Sequence, residues 1–116
     1  MWRRAATAAA TLALLATGVT LSPVASAAEA CPARQLCLYS STGFRSMKFQ
    51  TAKKNTCWSL ARYGLVNKVY SYRNNLSVYA RFYDKNGRNV WNIRNGGSSG
   101  DSSSFSGEAE VCTRHR

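Results

Sequence analysis

The sequence predicts an all-β sandwich of two packed four-stranded Greek keys, stabilised by disulfides. Three observations lead there. No stretch after residue 30 keeps a 3.6-residue apolar period over three turns. Short segments rich in aromatic and β-branched residues alternate with turn formers. Four cysteines fall in a segment too short to bury a self-sufficient core.

The amino terminus comes first because it sets how much chain must fold. Arg3 and Arg4 lead an alanine-rich apolar stretch, which runs into Pro23 and then Val24-Ala25-Ser26-Ala27. Positive end, hydrophobic middle and A-x-A site are the order of an export signal, so residues 1–27 are assigned to it and 28–116 to one domain. A membrane anchor fits less well: a span needs roughly 20 unbroken apolar residues, and Thr7, Thr11, Thr17, Thr20 and Ser22 interrupt this one. Ala28-Glu29-Ala30 offers a second A-x-A site three residues on.

Within residues 28–116, Leu36 to Ser40 is expected as a strand, Ser41-Thr42-Gly43 as a turn, and Arg45 to Gln50 as the hairpin partner with Met47 and Phe49 on one face. After a polar break at Thr51 to Thr56, Cys57 to Leu60 is a short strand and Val66 to Arg73 a longer one. Asn74-Asn75 then leads into the clearest strand: Leu76, Val78, Ala80 and Phe82 alternate with Ser77, Tyr79, Arg81 and Tyr83. Asp84-Lys85-Asn86-Gly87 is a turn, and Arg88 to Arg94 returns with Val90 and either Trp91 or Ile93 inward. Asn95 to Gly107, rich in Gly and Ser, is expected as a long exposed loop, and Glu108 to Arg114 as the last strand. The order hairpin, polar stretch, returning strand occurs twice, over 36–73 and 76–114, which suggests a doubled unit.

All four cysteines, Cys31, Cys37, Cys57 and Cys112, lie in the exported part, where an even count reads as a disulfide framework. Three pairings are possible. Cys31 with Cys37 is favoured because Pro32-Ala33-Arg34-Gln35-Leu36 is a short loop that can turn, leaving Cys57 with Cys112. A zinc site fits poorly, since the spacing is not C-x2-C.

Charge constrains the partner. Without Arg3 and Arg4, fourteen Lys and Arg face five Asp and Glu, a net +9. Such a field favours acidic partners, an anionic cell surface among them. The cations are spread along the chain, however, with only Lys53 and Lys54 adjacent, which argues against a nucleic-acid site.

Cys37-Leu38-Tyr39, then Gly43-Phe44, then Asn67-Lys68-Val69-Tyr70-Ser71-Tyr72-Arg73-Asn74-Asn75 resemble the βγ-crystallin-type Greek key of small secreted actinobacterial proteins. The opening Cys-Pro-x4-Cys-Leu-Tyr is most similar to the metalloproteinase-inhibitor-like peptidase inhibitor family. The resemblance covers Cys31 to Asn75 and implies a βγ-crystallin-like double Greek-key sandwich, secreted and non-catalytic, with an extracellular protease as partner. In that pattern Tyr39 and Phe44 are the paired aromatics and Ser71 the serine that caps the folded hairpin. Ser46 stands where the pattern has glycine, at a position of positive φ that serine adopts only with strain. Crystallin-type domains often bind calcium through Asn/Asp-Asn/Asp-x-x-Ser/Thr-Ser. Here Lys68 takes the second position and Tyr72 the last, and Glu108 to Thr113 orders its carboxylates differently, so no metal or other cofactor is expected.

Catalysis needs a poised acid, base or nucleophile. The single histidine, His115, sits beside the carboxyl terminus between Arg114 and Arg116, a poor place for preorganised chemistry. Asp84 and Asp101 fall in a turn and a loop. No catalytic residue is assigned. The candidate binding face is Tyr79, Arg81 and Tyr83, since aromatic and arginine side chains are enriched at interfaces. The candidate contact loop is Gly96, Gly97, Gly100 and Asp101. An inhibitor gains affinity from a loop already held in its bound shape, and a glycine-rich loop with no internal disulfide is expected to be too loose for that. The alternative function is a basic antimicrobial or surface-binding module of the killer-toxin-like crystallin type.

Overall fold

The computed structural model describes residues 27–114, so the predicted export signal, Ala27 apart, and His115 lie outside the described residues. The strands are β1 (Leu36–Ser41), β2 (Arg45–Thr51), β3 (Thr56–Ser59), β4 (Ser71–Asn74), β5 (Tyr79–Tyr83), β6 (Asn89–Ile93), β7 (Ser98–Ser99) and β8 (Glu110–Arg114), with a 3₁₀ turn at Leu60–Tyr63. They form two four-stranded sheets, β2-β1-β4-β7 and β3-β8-β5-β6, and every pairing is antiparallel. Each sheet holds three strands from one half of the chain and one from the other. The exchange of β3 and β7 means neither half can close its sheet alone.

Period-two burial fixes what lies between the sheets. Leu36 and Leu38 of β1, Phe49 of β2 and Tyr72 of β4 meet Ala80 and Phe82 of β5, Trp91 and Ile93 of β6 and Val111 of β8, with Leu60, Leu65, Val69, Leu76 and Val78 filling the ends. Phe82 stacks on Trp91 with ring centroids 4.0 Å apart, and Phe49 meets Trp58 and Tyr63 edge-on at 5.1 and 4.9 Å. Full burial of each large side chain contributes about 1.5–3 kcal/mol. No helix among the described residues is long and apolar enough to cross a membrane.

Five expected elements differ, each for an identifiable reason. The strand expected from Val66 begins only at Ser71. Asn67 has φ +57°, Lys68 N–H donates to the Leu65 carbonyl and Val69 N–H to the Glu108 carboxylate, so these amides are committed elsewhere. The short strand ends at Ser59, and Leu60 opens the 3₁₀ turn, closed by Gly64 at φ +68°. Leu76 to Tyr83 alternates in burial as predicted, yet the ladder starts at Tyr79, because Asn74 Oδ1 accepts from Leu76 N–H and its Nδ2 donates to the Val78 carbonyl.

In β6 it is Trp91 and Ile93 that point inward, while Val90 is 38% exposed. Alternation with the inward Trp91 puts Val90 on the outer face, and because Phe82 pairs with Trp91 but Tyr83 with Asn89, Val90 is also the extra residue of a β-bulge. Asn95 to Gly107 is no free loop. It supplies β7 to the first sheet, and Gly97 and Ser102 within it are buried.

Candidate functional site

Two disulfides bracket the domain. Cys31–Cys37 spans Cα atoms 5.8 Å apart and ties the amino-terminal segment to β1. The Asn75 side-chain amide fastens the same segment by donating to the Cys31 and Pro32 carbonyls at 3.3 and 3.1 Å. Cys57–Cys112 joins residues directly opposite in β3 and β8, with Cα atoms 4.0 Å apart. Glu110 lies near these two sulfurs, but bonded sulfurs are not thiolates, so the trio offers no metal a ligand set.

At the first hairpin, Tyr39 and Phe44 meet edge-on at 5.7 Å. The fully buried Ser71 hydroxyl accepts from Phe44 N–H at 3.0 Å and donates to the Ser41 carbonyl at 2.6 Å. Ser46 takes φ +59°, the left-handed value for which the family pattern places glycine. Its amide and that of Met47 donate to the Glu29 carboxylate at 3.1 and 3.2 Å. The Glu29 main chain completes the strap: its N–H donates to the Phe44 carbonyl, and its carbonyl accepts from the Tyr39 hydroxyl, both at 2.7 Å. Burial pushes the Tyr39 phenol above its ordinary value, against the pull of nearby Arg73.

Tyr79, Arg81 and Tyr83 alternate along β5 and so share the outer face of the second sheet. The Arg81 guanidinium lies 4.8 Å from the Tyr79 ring centroid. Arg114 on β8 lies over Tyr83 at 5.5 Å and donates to its hydroxyl at 3.0 Å. Both rings therefore have cation partners within the chain. Tyr79 also lines, with Asn92, Arg94, Gly97 and Ser98, an open hollow of about 380 Å³.

The four candidate contact residues fall in one fastened stretch. Gly96 N–H donates to the Asn74 carbonyl and Asn74 N–H to the Gly97 carbonyl, at 2.7 and 2.8 Å. Gly97 is there because a Cβ would come within 3.0 Å of both the Arg94 carbonyl oxygen and Ile93 Cγ2. The Gly100 carbonyl accepts from Gly43 N–H at 2.7 Å. Asp101 accepts from the Ser103 hydroxyl and amide, which holds its carboxyl below the ordinary value. Ser102 is clamped twice, its N–H donating to the Tyr70 carbonyl and its hydroxyl to the Val69 carbonyl.

At the far end of this stretch, Glu108 is wholly buried. Its carboxylate accepts from Val69 N–H at 3.2 Å and from the Trp91 indole N–H at 3.4 Å. Desolvation raises its pKa in spite of those bonds. Phe105 stacks on Trp91 at 4.8 Å and is 41% exposed.

Sequence reasoning singled out neither Phe105, Val66 and Val90, which stand exposed, nor Glu29, which straps the first hairpin. Only Phe105 carried a signal, as the one large apolar residue between Asn95 and Gly107. Glu29 has none, because its partners lie 17 and 18 residues away.

No match to the chain is found among curated proteins or solved structures. A family model does match, that of peptidase inhibitor family I36, over residues 24–92. The match takes in the strapped first hairpin and runs through β6, more than half of the sequence, and on that ground the chain belongs to peptidase inhibitor family I36.

Proposed function

We propose that residues 28–116 form a secreted, non-catalytic inhibitor that blocks an extracellular protease by seating in its cleft. The domain carrying it is read as a βγ-crystallin-like double Greek key, a form supported by the exchange of β3 and β7 between the two sheets. Family membership supports a protease as partner. The disulfides are consistent with an oxidising, extracellular compartment.

One observation carries the cleft reading. The Gly/Ser stretch from Asn95 to Gly107 is fastened to Asn74, Gly43, Tyr70 and Val69 by main-chain and buried side-chain hydrogen bonds. A segment held this way does not lose its conformational freedom at the moment of binding, so contact energy appears as affinity. The candidate contact residues Gly96, Gly97, Gly100 and Asp101 lie within it.

The test is a titration of purified residues 28–116 into thermolysin and subtilisin at fixed substrate. Stoichiometric inhibition that persists at 0.5 M salt, with the inhibitor intact on a gel afterwards, is the expected result. Adsorption to anionic liposomes that vanishes with salt, with no inhibition of either protease, would overturn the reading.

A further inference from the structure

Among the described residues, the large hydrophobics with more than a third of their surface in water are Val66, Tyr79, Val90 and Phe105, at 37, 36, 38 and 41%. Tyr79 has Arg81 over its ring. The other three gather around Gly107. Val90 Cγ1 stands 3.6 Å from where a Gly107 Cβ would be. Val66 shares with Gly107, Asn67, Asp84, Lys85, Asn86 and Ala109 a hollow of about 240 Å³. Phe105, two residues before Gly107, lies flat on Trp91.

We propose that Phe105, Val66 and Val90 are the apolar anchor this chain presents to its protease, set in a basic rim that fits a cleft with acidic walls. The inference rests on the inhibitor reading above and names the surface that would perform it. Exposed apolar clusters oppose solubility and mark interaction sites, and each of these residues reaches water through a distinct local device. Val90 faces outward by alternation with the inward Trp91, at the β-bulge opposite Tyr83. Val66 precedes the left-handed Asn67. Phe105 is held by its own N–H, which donates to the Ser102 carbonyl at 3.0 Å.

The support beneath them is rigid. Asn67 Oδ1 accepts from Gly107 N–H, and Glu108 ties Trp91 to Val69 from below. Apolar side chains on a fixed base, which surrender little entropy when covered, have the properties of binding hot spots.

Charge points to the same occupant. Lys85 lines the hollow, Lys68 follows Asn67, and Arg88 lies two residues before Val90, all three exposed. Asp84 also lines the hollow, but its Oδ1 accepts from Asn86 N–H and Arg88 N–H at 2.8 and 2.9 Å, within the turn. Asp84 stays charged there and Glu110 lines an adjoining hollow with Asp84 and Lys85, so three cations face two carboxylates and the balance around the anchor is positive, which speeds encounter with an acidic surface.

The experiment measures inhibition constants of residues 28–116 and of Val66→Glu, Val90→Glu and Phe105→Ala against thermolysin and subtilisin. Gln50→Glu, exposed on β2, serves as the charge control, and circular dichroism checks each fold. Each of the three substitutions is expected to weaken inhibition at least ten-fold, with Gln50→Glu unchanged. The double variant Lys68→Glu/Lys85→Glu is expected to slow association about ten-fold at low salt and much less at high salt. Val66→Glu and Val90→Glu change exposed positions, so they keep the test valid even if Phe105→Ala unfolds. Inhibition by the wild type with undiminished potency in the folded Val66→Glu and Val90→Glu variants overturns the anchor and leaves the inhibitor reading standing. No inhibition by the wild type overturns both.

Discussion

The two hairpins of this chain occupy matching places and are stabilised in opposite ways. Tyr70 N–H donates to the Tyr39 carbonyl at 3.0 Å, and Ala109 N–H donates to the Tyr83 carbonyl at 2.8 Å, so the returning segments meet their hairpins alike. Five residues after Tyr39 stands Phe44, whose amide is capped by a serine 27 positions away. Five residues after Tyr83 stands Arg88, whose amide is capped by Asp84, four positions away. The first hairpin is thus locked by long-range contacts, the second by its own turn. Both hairpins carry a register shift, opposite Leu38 and Tyr39 in the first and opposite Phe82 and Tyr83 in the second, so the contrast between them lies in the capping.

Unequal crosslinks sharpen the contrast most. Replacing Cys57 and Cys112 together by alanine releases a separation of 55 residues and is expected to lower unfolding stability by about 4 kcal/mol. The corresponding Cys31 and Cys37 change, with a separation of 6, should cost about 2 kcal/mol. Urea melts of the two double variants rank them directly, and equal losses would mean the loop-entropy argument does not govern this fold. Next comes Ser71→Ala, which strands the Phe44 N–H and Ser41 carbonyl beside a fully buried site and should cost about 1–3 kcal/mol. Asp84→Ala, in the self-capped turn, should cost well under half as much. If the two losses match, the hairpins are not stabilised differently.

Ser46→Gly should raise stability by about 1 kcal/mol, because glycine takes φ +59° without the Cβ penalty. A lower melting temperature for that variant would show that the Ser46 hydroxyl, 3.4 Å from Ser41 Oγ, outweighs the backbone term.

The smallest effect concerns Val69 and Glu108, which immediately precede the matched Tyr70 and Ala109. Both are buried, one aliphatic and one acidic, and they touch. Burial raises the Glu108 pKa, so the folded state favours its neutral form. Its contribution is full below the ordinary carboxylate range and is lost as pH rises through the raised value. Glu108→Gln should flatten stability against pH over that window, while the slope at lower pH, where the lowered Asp84 and Asp101 act in the opposite sense, stays as in the wild type.

What could be read from sequence was what neighbouring residues decide between themselves. The alternation from Leu76 to Phe82 fixed an inward face, Gly43 and Gly87 at φ +75° and +81° marked hairpin turns, and four cysteines in a small chain pointed to two disulfides. Two of the failures share one cause, a polar group arriving from far along the chain. Val66 to Arg73 has strand composition, yet a carboxylate 39 residues on takes the Val69 amide. Asn95 to Gly107 has linker composition, yet carbonyls at Val69, Tyr70 and Asn74 hold it. The inward expectation for Val90 failed for a simpler reason, since period two with Trp91 and Ile93 both inward already puts Val90 outside. The proposed anchor could not be read from sequence because its three members come from separate segments, Val66 before β4, Val90 in β6 and Phe105 after β7.

The Glu29 strap bears on the export-signal cleavage that the sequence predicts. Two small-residue motifs lie side by side, ending at Ala27 and at Ala30, and Glu29 is the middle residue of the second. Scission after Ala27 delivers a polypeptide whose second residue closes over Ser46 and Met47, whereas scission three bonds later discards that residue and leaves two amides to solvent. On the predicted processing, the choice of cut decides whether the first hairpin is strapped, and intact-mass measurement on the protein recovered outside the producing cell is expected to show a chain beginning at Ala28.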